Sequence, residues 1–224
     1  MEPLKILYED AHLVICCKPV GVLSEDSESG RCMPQLLREH YLAQGQKHPY
    51  IATVHRLDKI TGGVMVFARS AAAASILSGQ VREHRFRKIY LAVVRGDPGQ
   101  GGIWRDMLGR DPVRRVTYIA REPGKDVRPA ELSYETLAVR EGLSLVRVTL
   151  HTGRTHQIRV QFAGRGFPLV GDRKYGGAGD GEALALWAWR LGFTHPETGR
   201  DMVFTHQPPA AWPWTLFPLP ETGK

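Results

Sequence analysis

Two neighbouring segments of alternating apolar and polar residues constrain the fold of this chain most. Residues 130–140 read AELSYETLAVR and residues 143–151 read LSLVRVTLH, with Glu141 and Gly142 between them. Alternation with a period of two is typical of half-buried β-strands, and a two-residue connection that ends in glycine favours a hairpin. The chain therefore must contain antiparallel sheet.

The remaining apolar runs predict more strands than helices. We predict strands over residues 4–10, Leu13–Cys17, 64–70 and Phe86–Arg95, short strands in a basic excursion over 99–129, and a last strand and loop in the tail. We predict helices over Pro34–Ala43, from a Ser70 cap to about Glu83, and over 156–163 with Thr155 as cap and Gly164 at the end. Because strands and helices do not alternate regularly, the pattern predicts an α+β fold with a largely antiparallel sheet rather than a doubly wound one.

Length and composition favour one globular domain in a reducing compartment. The 224 residues contain no repeat, low-complexity block or linker, so we predict a single domain over residues 1–224. No apolar run approaches the length that crosses a bilayer, and no secretory signal is visible. Three cysteines, two of them adjacent at Cys16 and Cys17, suit reduced thiols, so we predict a cytoplasmic protein without membrane contact.

The charge balance points towards a polyanionic partner. Thirty basic residues against 23 acidic ones give a formal net charge of +7, and 22 of the thirty are arginine. The planar guanidinium binds phosphate and stacks on bases, which favours a nucleic acid as partner. A basic protein that is merely kept soluble by its charge is the alternative.

The segment VHRLDKITGG, residues 54–63, concentrates opposite charges before a buried strand. Arg56 and Lys59 flank Asp58, which would keep its carboxylate ionised and able to serve as nucleophile or general base. Gly62 and Gly63 would allow the backbone to approach a ligand closely. An ordinary surface salt bridge beside a turn is the alternative.

Two further segments carry candidate site residues. In HTGRTHQIR, residues 151–159, Arg154 precedes a helix start that could bind an anion, while Arg159 could equally be a partly buried arginine bound by carbonyls. The histidines of this segment have no third ligand nearby, so we predict no metal site. In FRKIYLAVV, residues 86–94, Tyr90 could be a core aromatic, and the basic residues around Phe86 could bind RNA or form a solvated face.

In their order along the chain, HRLDKITGG, RKIYLAV and GRTHQIR closely resemble the signature segments of the RluA-type RNA pseudouridine synthases. LYEDAHLVICCKPVGVLS, PLVGDRKYG and LWAWRLGFTHPETG are similar as well, so the resemblance extends over nearly the whole chain. It implies a mixed, mainly antiparallel sheet flanked by helices, with a central catalytic cleft. It also implies isomerisation of specific uridines in structured RNA, 23S ribosomal RNA or transfer RNA, with the target base flipped out of its stack.

The resemblance assigns a role to four residues. Asp58 corresponds to the essential aspartate, which works without cofactor or metal, and Tyr90 to the tyrosine that stacks on the target base. Arg159 corresponds to the arginine that pairs with the catalytic carboxylate, and Arg56 to the arginine that enters the RNA stack. We predict five further RNA contacts on the basic segments, namely His55, Arg154, Arg85, Arg87 and Lys88.

The sequence departs from the family pattern at Gly62, where serine is common, and at Trp187, where histidine is common. The family pattern begins by residue 6, so we expect no separate N-terminal RNA-binding domain, and we expect a monomer. A catalytically silent RNA-binding or RNA-folding factor is the alternative function. A carboxylate-dependent nucleosidase or glycosidase would need a second paired acid, which the sequence does not show.

Overall fold

The computed structural model describes residues 4–28, 30–176 and 183–222, which form antiparallel strands and a few helices. The elements are, in chain order, β1 (Lys5–Glu9), β2 (Leu13–Lys18), α1 (Met33–Ala43), β3 (Ala52–Thr53), β4 (Gly62–Ala68), α2 (Ala71–Arg82), β5 (Arg87–Arg95), β6 (Gly101–Asp111), β7 (Val116–Ala120), β8 (Arg128–Arg140), β9 (Leu143–Leu150), α3 (Gln157–Ala163), β10 (Leu186–Thr194), β11 (Asp201–Thr205) and a 3-10 turn (Trp214–Leu216). The chain groups into two compact units, unit 1 with residues 1–87 and 188–207, and unit 2 with residues 88–187 and 208–224.

The sheet of unit 1 is built on two strands that are buried along their whole length. All residues of β2 and β4 are buried, as their continuous apolar sequences predict. The two strands pair antiparallel, so that Lys18 at the end of β2 lies opposite Gly63 at the start of β4. The strands β1 and β3 pair antiparallel with β2 and β4, and β10 pairs with β11. The C-terminal end of β2 and the N-terminal end of β4 therefore lie side by side at one edge of this core.

Position 63 needs glycine because a neighbouring strand passes very close to its backbone. Its φ is +122°, and a Cβ at this position would lie 2.2 Å from the carbonyl oxygen of Ala188 in β10. The sequence predicts the close approach of a ligand at Gly62 and Gly63. At Gly63 the structure shows a protein strand instead, because β4 and β10 are neighbours in the sheet.

The helices of unit 1 begin close to where the sequence predicts. The Ser70 hydroxyl accepts a hydrogen bond from the N–H of Ala73 at 3.2 Å, which confirms Ser70 as the cap of α2. Leu77 of α2 is fully buried against Leu13 and Ile15 of β2. The helix α1 starts at Met33, one residue before the prediction, with proline in its first turn.

Unit 2 contains five antiparallel strands in the order β5-β9-β8-β6-β7. The predicted hairpin is β8 and β9, and its turn residues Glu141 and Gly142 have φ values of 52° and 71°. Two consecutive positive φ values are typical of the type I′ turn, whose twist matches that of the paired strands. The hairpin prediction is confirmed.

The basic excursion over residues 99–129 is more regular than the sequence predicts. Instead of short strands it contains β6, which has eleven residues, and β7, with which β6 forms a hairpin. The strand β6 is long because β8 pairs with it on its other side from Gly101 to Leu108. This pairing is a long-range contact, so the local content of glycine, proline and arginine did not reveal it.

The helix α3 lies against β6 and β7, and it starts differently from the prediction. Its first residue is Gln157 and its N-cap is His156, which has a left-handed backbone with φ 54° and makes no side-chain cap. Thr155 was predicted as the cap. That prediction is wrong, because the helix begins one residue later, with His156 as its N-cap. The carbonyl of Thr155 accepts a hydrogen bond from the hydroxyl of Thr117 in β7 at 2.9 Å.

These elements confirm the predicted α+β class with a mixed, mainly antiparallel sheet flanked by helices. The count of one domain over residues 1–224 and the central cleft stay predictions. None of the helices in the described ranges is long and apolar enough to span a membrane.

Candidate active site

The loop between β3 and β4 carries Asp58 at the edge of the core of unit 1. A turn closes behind Asp58, because the N–H of Thr61 donates to the carbonyl of Asp58 at 2.9 Å. Asp58 is half-buried, whereas Arg56 is exposed and Leu57 is buried. The burial of Leu57 anchors the loop next to the half-buried Asp58.

His55 lies under this loop. Its ring is 8% exposed, and Nε2 accepts the N–H of Val66 in β4 at 3.1 Å. The ring also packs edge-on against Phe86, with 5.7 Å between the centroids. Sequence analysis predicted His55 as an RNA contact. Its burial and its bond to β4 support the loop, and its contact with RNA stays a prediction.

Ser24 holds the residue that precedes Asp58. Its hydroxyl accepts the N–H of Leu57 at 3.0 Å and donates to the carbonyl of Leu57 at 2.8 Å, and Ser24 is only 5% exposed. These two hydrogen bonds hold the peptide groups on both sides of Leu57 and so restrict rotation on the N-terminal side of Asp58. Ser24 was not among the predicted site residues, and the supporting match over LYEDAHLVICCKPVGVLS was the only signal for it.

Lys18 holds the residue that follows Asp58. It is fully buried, and Nζ donates to the carbonyls of Val22 at 2.7 Å, Pro19 at 3.0 Å and Lys59 at 3.2 Å. Burial lowers the pKa of Lys18 to about 8, although the negative charge of Asp58 acts in the opposite direction. The sequence analysis missed this residue, whose signal was a lysine at the end of an apolar strand.

Arg56 forms an ion pair with Glu25, the residue that follows Ser24. Its Nη1 lies 2.9 Å from Oε2 of Glu25, and both side chains are more than half exposed. Because Ser24 is bonded to Leu57, the next residues outward, Glu25 and Arg56, face each other. The guanidinium is therefore held near the surface beside Asp58.

Tyr90 lies in β5 of unit 2, opposite Val148 of β9, and is 7% exposed. Side chains alternate along a strand, so Lys88 and Tyr90 lie on the same face of β5. The cationic side chain of Lys88 therefore lies on the same face of the strand as Tyr90 in unit 2.

Arg159 of α3 has a buried carboxylate partner that the sequence analysis did not predict. Its Nε and Nη2 each donate at 2.8 Å to the two oxygens of Asp172, and the two side chains are 3% and 0% exposed. Burial by itself would raise the pKa of Asp172, but the bonds from Arg159 and from the N–H groups of Tyr175 and Lys174 outweigh it and lower this pKa. Asp172 belongs to the stretch PLVGDRKYG, which only the family resemblance had singled out. The predicted pairing of Arg159 with Asp58 stays a prediction.

A tyrosine links α3 to the hairpin of β6 and β7. The hydroxyl of Tyr175 accepts the N–H of Thr117 at 2.8 Å and lies 2.7 Å from Nδ1 of His156. The guanidinium of Arg159 lies over the Tyr175 ring, 5.1 Å from its centroid. These contacts fix the start of α3 and the position of Arg159.

Among the remaining predicted RNA contacts, Arg154 and Arg85 already bind other groups of the protein. Arg154 donates from Nε to the carbonyl of Pro129 at 2.9 Å, and Arg85 pairs with Glu83 at 2.7 Å. Arg87 is exposed at the start of β5. Burial lowers the pKa of Lys88. Among residues 4–28, 30–176 and 183–222, no group of three or more His, Cys, Asp or Glu side chains could hold a metal ion.

The structure brings some of the predicted site residues together within each unit. Asp58 and Arg56 share one loop of unit 1, and Tyr90, Arg159 and Lys88 belong to unit 2. A shared pocket formed by all of them stays a prediction.

Comparisons with known proteins give the same family throughout. The family model for RNA pseudouridylate synthase matches residues 12–164. Ribosomal large subunit pseudouridine synthase D of Nitrosomonas europaea is 34% identical over 215 residues, which are 90% of this chain and 61% of the relative. An uncharacterized RNA pseudouridine synthase of Aquifex aeolicus is 37% identical over 226 residues, 92% of this chain and 70% of the relative.

Two solved human structures share the fold. RNA Pseudouridylate Synthase Domain Containing 1 has a TM-score of 0.76 and 24% identity, over 94% of this chain and 88% of the human chain. RNA Pseudouridylate Synthase Domain Containing 4 has a TM-score of 0.75 and 23% identity, over 92% and 88%. This chain therefore spans most of both human structures but only 61% of the length of the Nitrosomonas relative.

Proposed function

This chain belongs to the RNA pseudouridylate synthase family, and we propose that it isomerises specific uridines in RNA to pseudouridine with Asp58 as the essential catalytic group. The reaction breaks the N1–C1′ bond of uridine, turns the base and forms a C5–C1′ bond. The C5 proton leaves and N1 gains a proton, so the reaction consumes no co-reactant.

The observation that carries this proposal is the support of Asp58 on both sides. Ser24 binds Leu57 before it and Lys18 binds Lys59 after it, so the backbone that carries the carboxylate is fixed on both sides. Preorganisation of this kind is what a group that attacks or deprotonates a substrate needs. Attack on the sugar, attack on the base and removal of a sugar proton all fit a single carboxylate.

The other residues receive roles around Asp58. Tyr90 stacks on the detached base, and Arg159 keeps Asp58 ionised and directed, with Asp172 positioning Arg159 from behind. Arg56 enters the RNA stack and offsets the cost of flipping the target base, which is a few kcal/mol. Arg154, Arg85, Arg87 and Lys88 contact the RNA backbone, and His55 supports the loop.

The substrate proposed first is large-subunit ribosomal RNA, because two relatives of this chain, from Nitrosomonas and Neisseria, are named as synthases of the ribosomal large subunit. Transfer RNA is the second substrate to test. We propose further that the protein acts as a monomer in the cytoplasm, as one catalytic domain, without cofactor or metal.

The decisive experiment compares the wild type with Asp58→Asn on unmodified large-subunit ribosomal RNA and on transfer RNA. We expect pseudouridine, detected by mass shift, with the wild type and none with the variant. RNA affinity should stay within about twofold, because phosphate contacts supply most of the binding. An inactive wild type on both RNAs, or an Asp58→Asn variant that complements a deletion strain, would favour the RNA-binding factor.

Tyr90 is tested with two substitutions. If stacking is its role, Tyr90→Phe keeps most of kcat and Tyr90→Leu loses much more. Equal losses in the two variants would contradict the stacking role.

A further inference from the structure

Beyond the residues that act on the base, unit 2 contains a cation, Lys88, that has no counter-charge among the residues described. Lys88 lies two residues before Tyr90, on the same face of β5, and pairs in the sheet with Leu150, the last residue of β9. The chain after Leu150 turns through Gly153 towards α3. The ammonium group of Lys88 reaches this turn, because Nζ lies 3.2 Å from the place where a Cβ of residue 153 would be.

The surroundings of Lys88 leave its charge unbalanced. Among the residues that the structure describes, no acceptor or carboxylate lies within bonding distance of Nζ. Glu131 precedes Leu132, the residue that pairs with Leu150 in β8, and its carboxylate is already bound by Arg105 at 2.8 Å. His151 and Arg154, which lie on either side of the turn in the sequence, carry no negative charge. Burial lowers the pKa of Lys88, which means that water has been partly removed from its ammonium group.

A partly desolvated ammonium without a partner is costly in a folded protein unless an anion binds to it. Two other lysines bind their ammonium groups internally, Lys18 to three carbonyls and Lys174 to the carbonyl of Arg115 at 2.8 Å. Glycine at position 153 keeps the approach to Lys88 open, since any side chain there would crowd Nζ.

Resting on the proposed function, we infer that Lys88 and the open surface of Gly153 form a subsite for one phosphate of the RNA backbone next to the target uridine. The ammonium binds the phosphate as a point charge, and the backbone at Gly153 lets the phosphate approach. Arg154, whose Nε is occupied by the carbonyl of Pro129, adds positive charge without closing the site.

The test measures the affinity of a labelled stem–loop of large-subunit ribosomal RNA at several salt concentrations. Lys88→Met should weaken binding about tenfold, as expected for loss of one charge-assisted hydrogen bond. It should also reduce the slope of log K against log salt by about 0.7–0.9, the value for one phosphate contact. Lys47→Met, which removes an exposed lysine, is the matched control and should leave the slope unchanged.

Gly153→Ala gives a second test that keeps the charge. Its backbone does not need a positive φ, so the fold should tolerate alanine, while the new methyl group crowds Nζ. We expect Gly153→Ala to weaken RNA binding in the wild type and to add nothing in Lys88→Met. An unchanged slope in Lys88→Met, or an equal effect of Gly153→Ala in both backgrounds, would overturn the subsite.

The outcome is separable from that of the proposed function. Binding is measured with Asp58→Asn as well, which makes no product but keeps Lys88. If the wild type forms no pseudouridine, the proposed function fails, while the two binding experiments still decide on the phosphate subsite.

Discussion

Each residue next to Asp58 in the chain is bonded to the segment between Lys18 and Glu25. Leu57 is bonded to Ser24, and Lys59 to Lys18. Buried hydrogen bonds of this kind contribute modestly to net stability but strongly restrict local geometry. The reactive carboxylate therefore depends on neighbours that do not touch the substrate.

Ser24→Ala tests this dependence. Removal of both bonds to Leu57 should lower kcat about tenfold, since about 1–2 kcal/mol of hydrogen bonding then no longer restrains the loop. Single-turnover rates well below the melting temperature measure the effect, with KM almost unchanged. Ser24→Thr, which keeps the hydroxyl, should restore most of the rate, and Ser75→Ala on the exposed face of α2 is the control. A normal kcat in Ser24→Ala would contradict the positioning role.

The lowered pKa of Lys18 leads to a prediction of how kcat depends on pH. Below its pKa of about 8 the ammonium has three N–H groups for its three carbonyls, and above it the neutral amine has two. We expect kcat to decline as pH rises through about 8, because the loop after Asp58 loosens. The pH–rate profile measures this, and Lys18→Met should have a lower kcat without that alkaline limb.

Titration of Lys18 does not itself destabilise the folded protein in this pH range. The pKa of Lys18 in the folded protein lies below its ordinary value of 10.5, so between about 8 and 10.5 the unfolded chain binds more protons. This group therefore makes the free energy of unfolding rise with pH in that window. A kcat that stays flat through pH 8 would contradict the assignment.

At the scale of elements, the short helix α3 is held in place by contacts with the turn that follows it in the chain. The helix has only seven residues and no side-chain cap, so its own propensity cannot hold it in place. The ion pair of Arg159 with Asp172 and the hydroxyl of Tyr175 supply the missing contacts. The stretch PLVGDRKYG thus supports the helix that carries Arg159.

Asp172→Asn tests this support. The variant removes the charge of a buried bidentate partner, which should cost about 3–5 kcal/mol of the free energy of unfolding. Because the pKa of Asp172 is lowered in the folded protein, its stabilisation is present above the ordinary carboxyl pKa and is lost as pH falls. Denaturant titration measures both effects.

Glu131→Gln is the control for Asp172→Asn, because it breaks the exposed pair with Arg105. The cost of that substitution should be much smaller than that of Asp172→Asn, because the pair is screened by solvent. Equal costs for the two variants would contradict the role of the buried pair.

At the scale of the whole molecule, some arginines form ion pairs within the protein. Others have no such partner in the described part of the chain and can bind external ligands. Several arginines are bound to carboxylates, as Arg56, Arg105 and Arg165 are. At the end of the β6–β7 hairpin, Arg110 and Arg115 are exposed and have no carboxylate partner among the residues that the structure describes. The net charge of +7 is therefore partly displayed on this hairpin.

RNA affinity should fall steeply with salt as a consequence. Each phosphate contact contributes about −0.7 to the slope of log K against log salt for single-stranded RNA. Replacement of Arg110 and Arg115 by glutamine should make the slope shallower, while Arg200→Gln serves as an exposed control. A flat salt profile for the wild type would contradict binding through a basic surface.

Regular local patterns were sufficient to predict part of this structure. The β8–β9 hairpin with its Glu141–Gly142 turn and the Ser70 cap depend on neighbours within a few residues, and both are confirmed. The three motifs likewise indicated the family, because the residue types and their order along the chain are themselves sequence information.

Contacts between distant segments decided the rest. The length of β6 comes from pairing with β8, and the glycine at position 63 from the backbone of Ala188, which is far away in sequence. The partners Asp172, Ser24 and Lys18 were missed for the same reason. By itself the sequence determined the class of fold, the family and the identity of the candidate catalytic residue. Only the tertiary structure decided which buried groups hold the candidate residues in place, because hydrogen bonds and ion pairs between distant segments form only once the chain has folded.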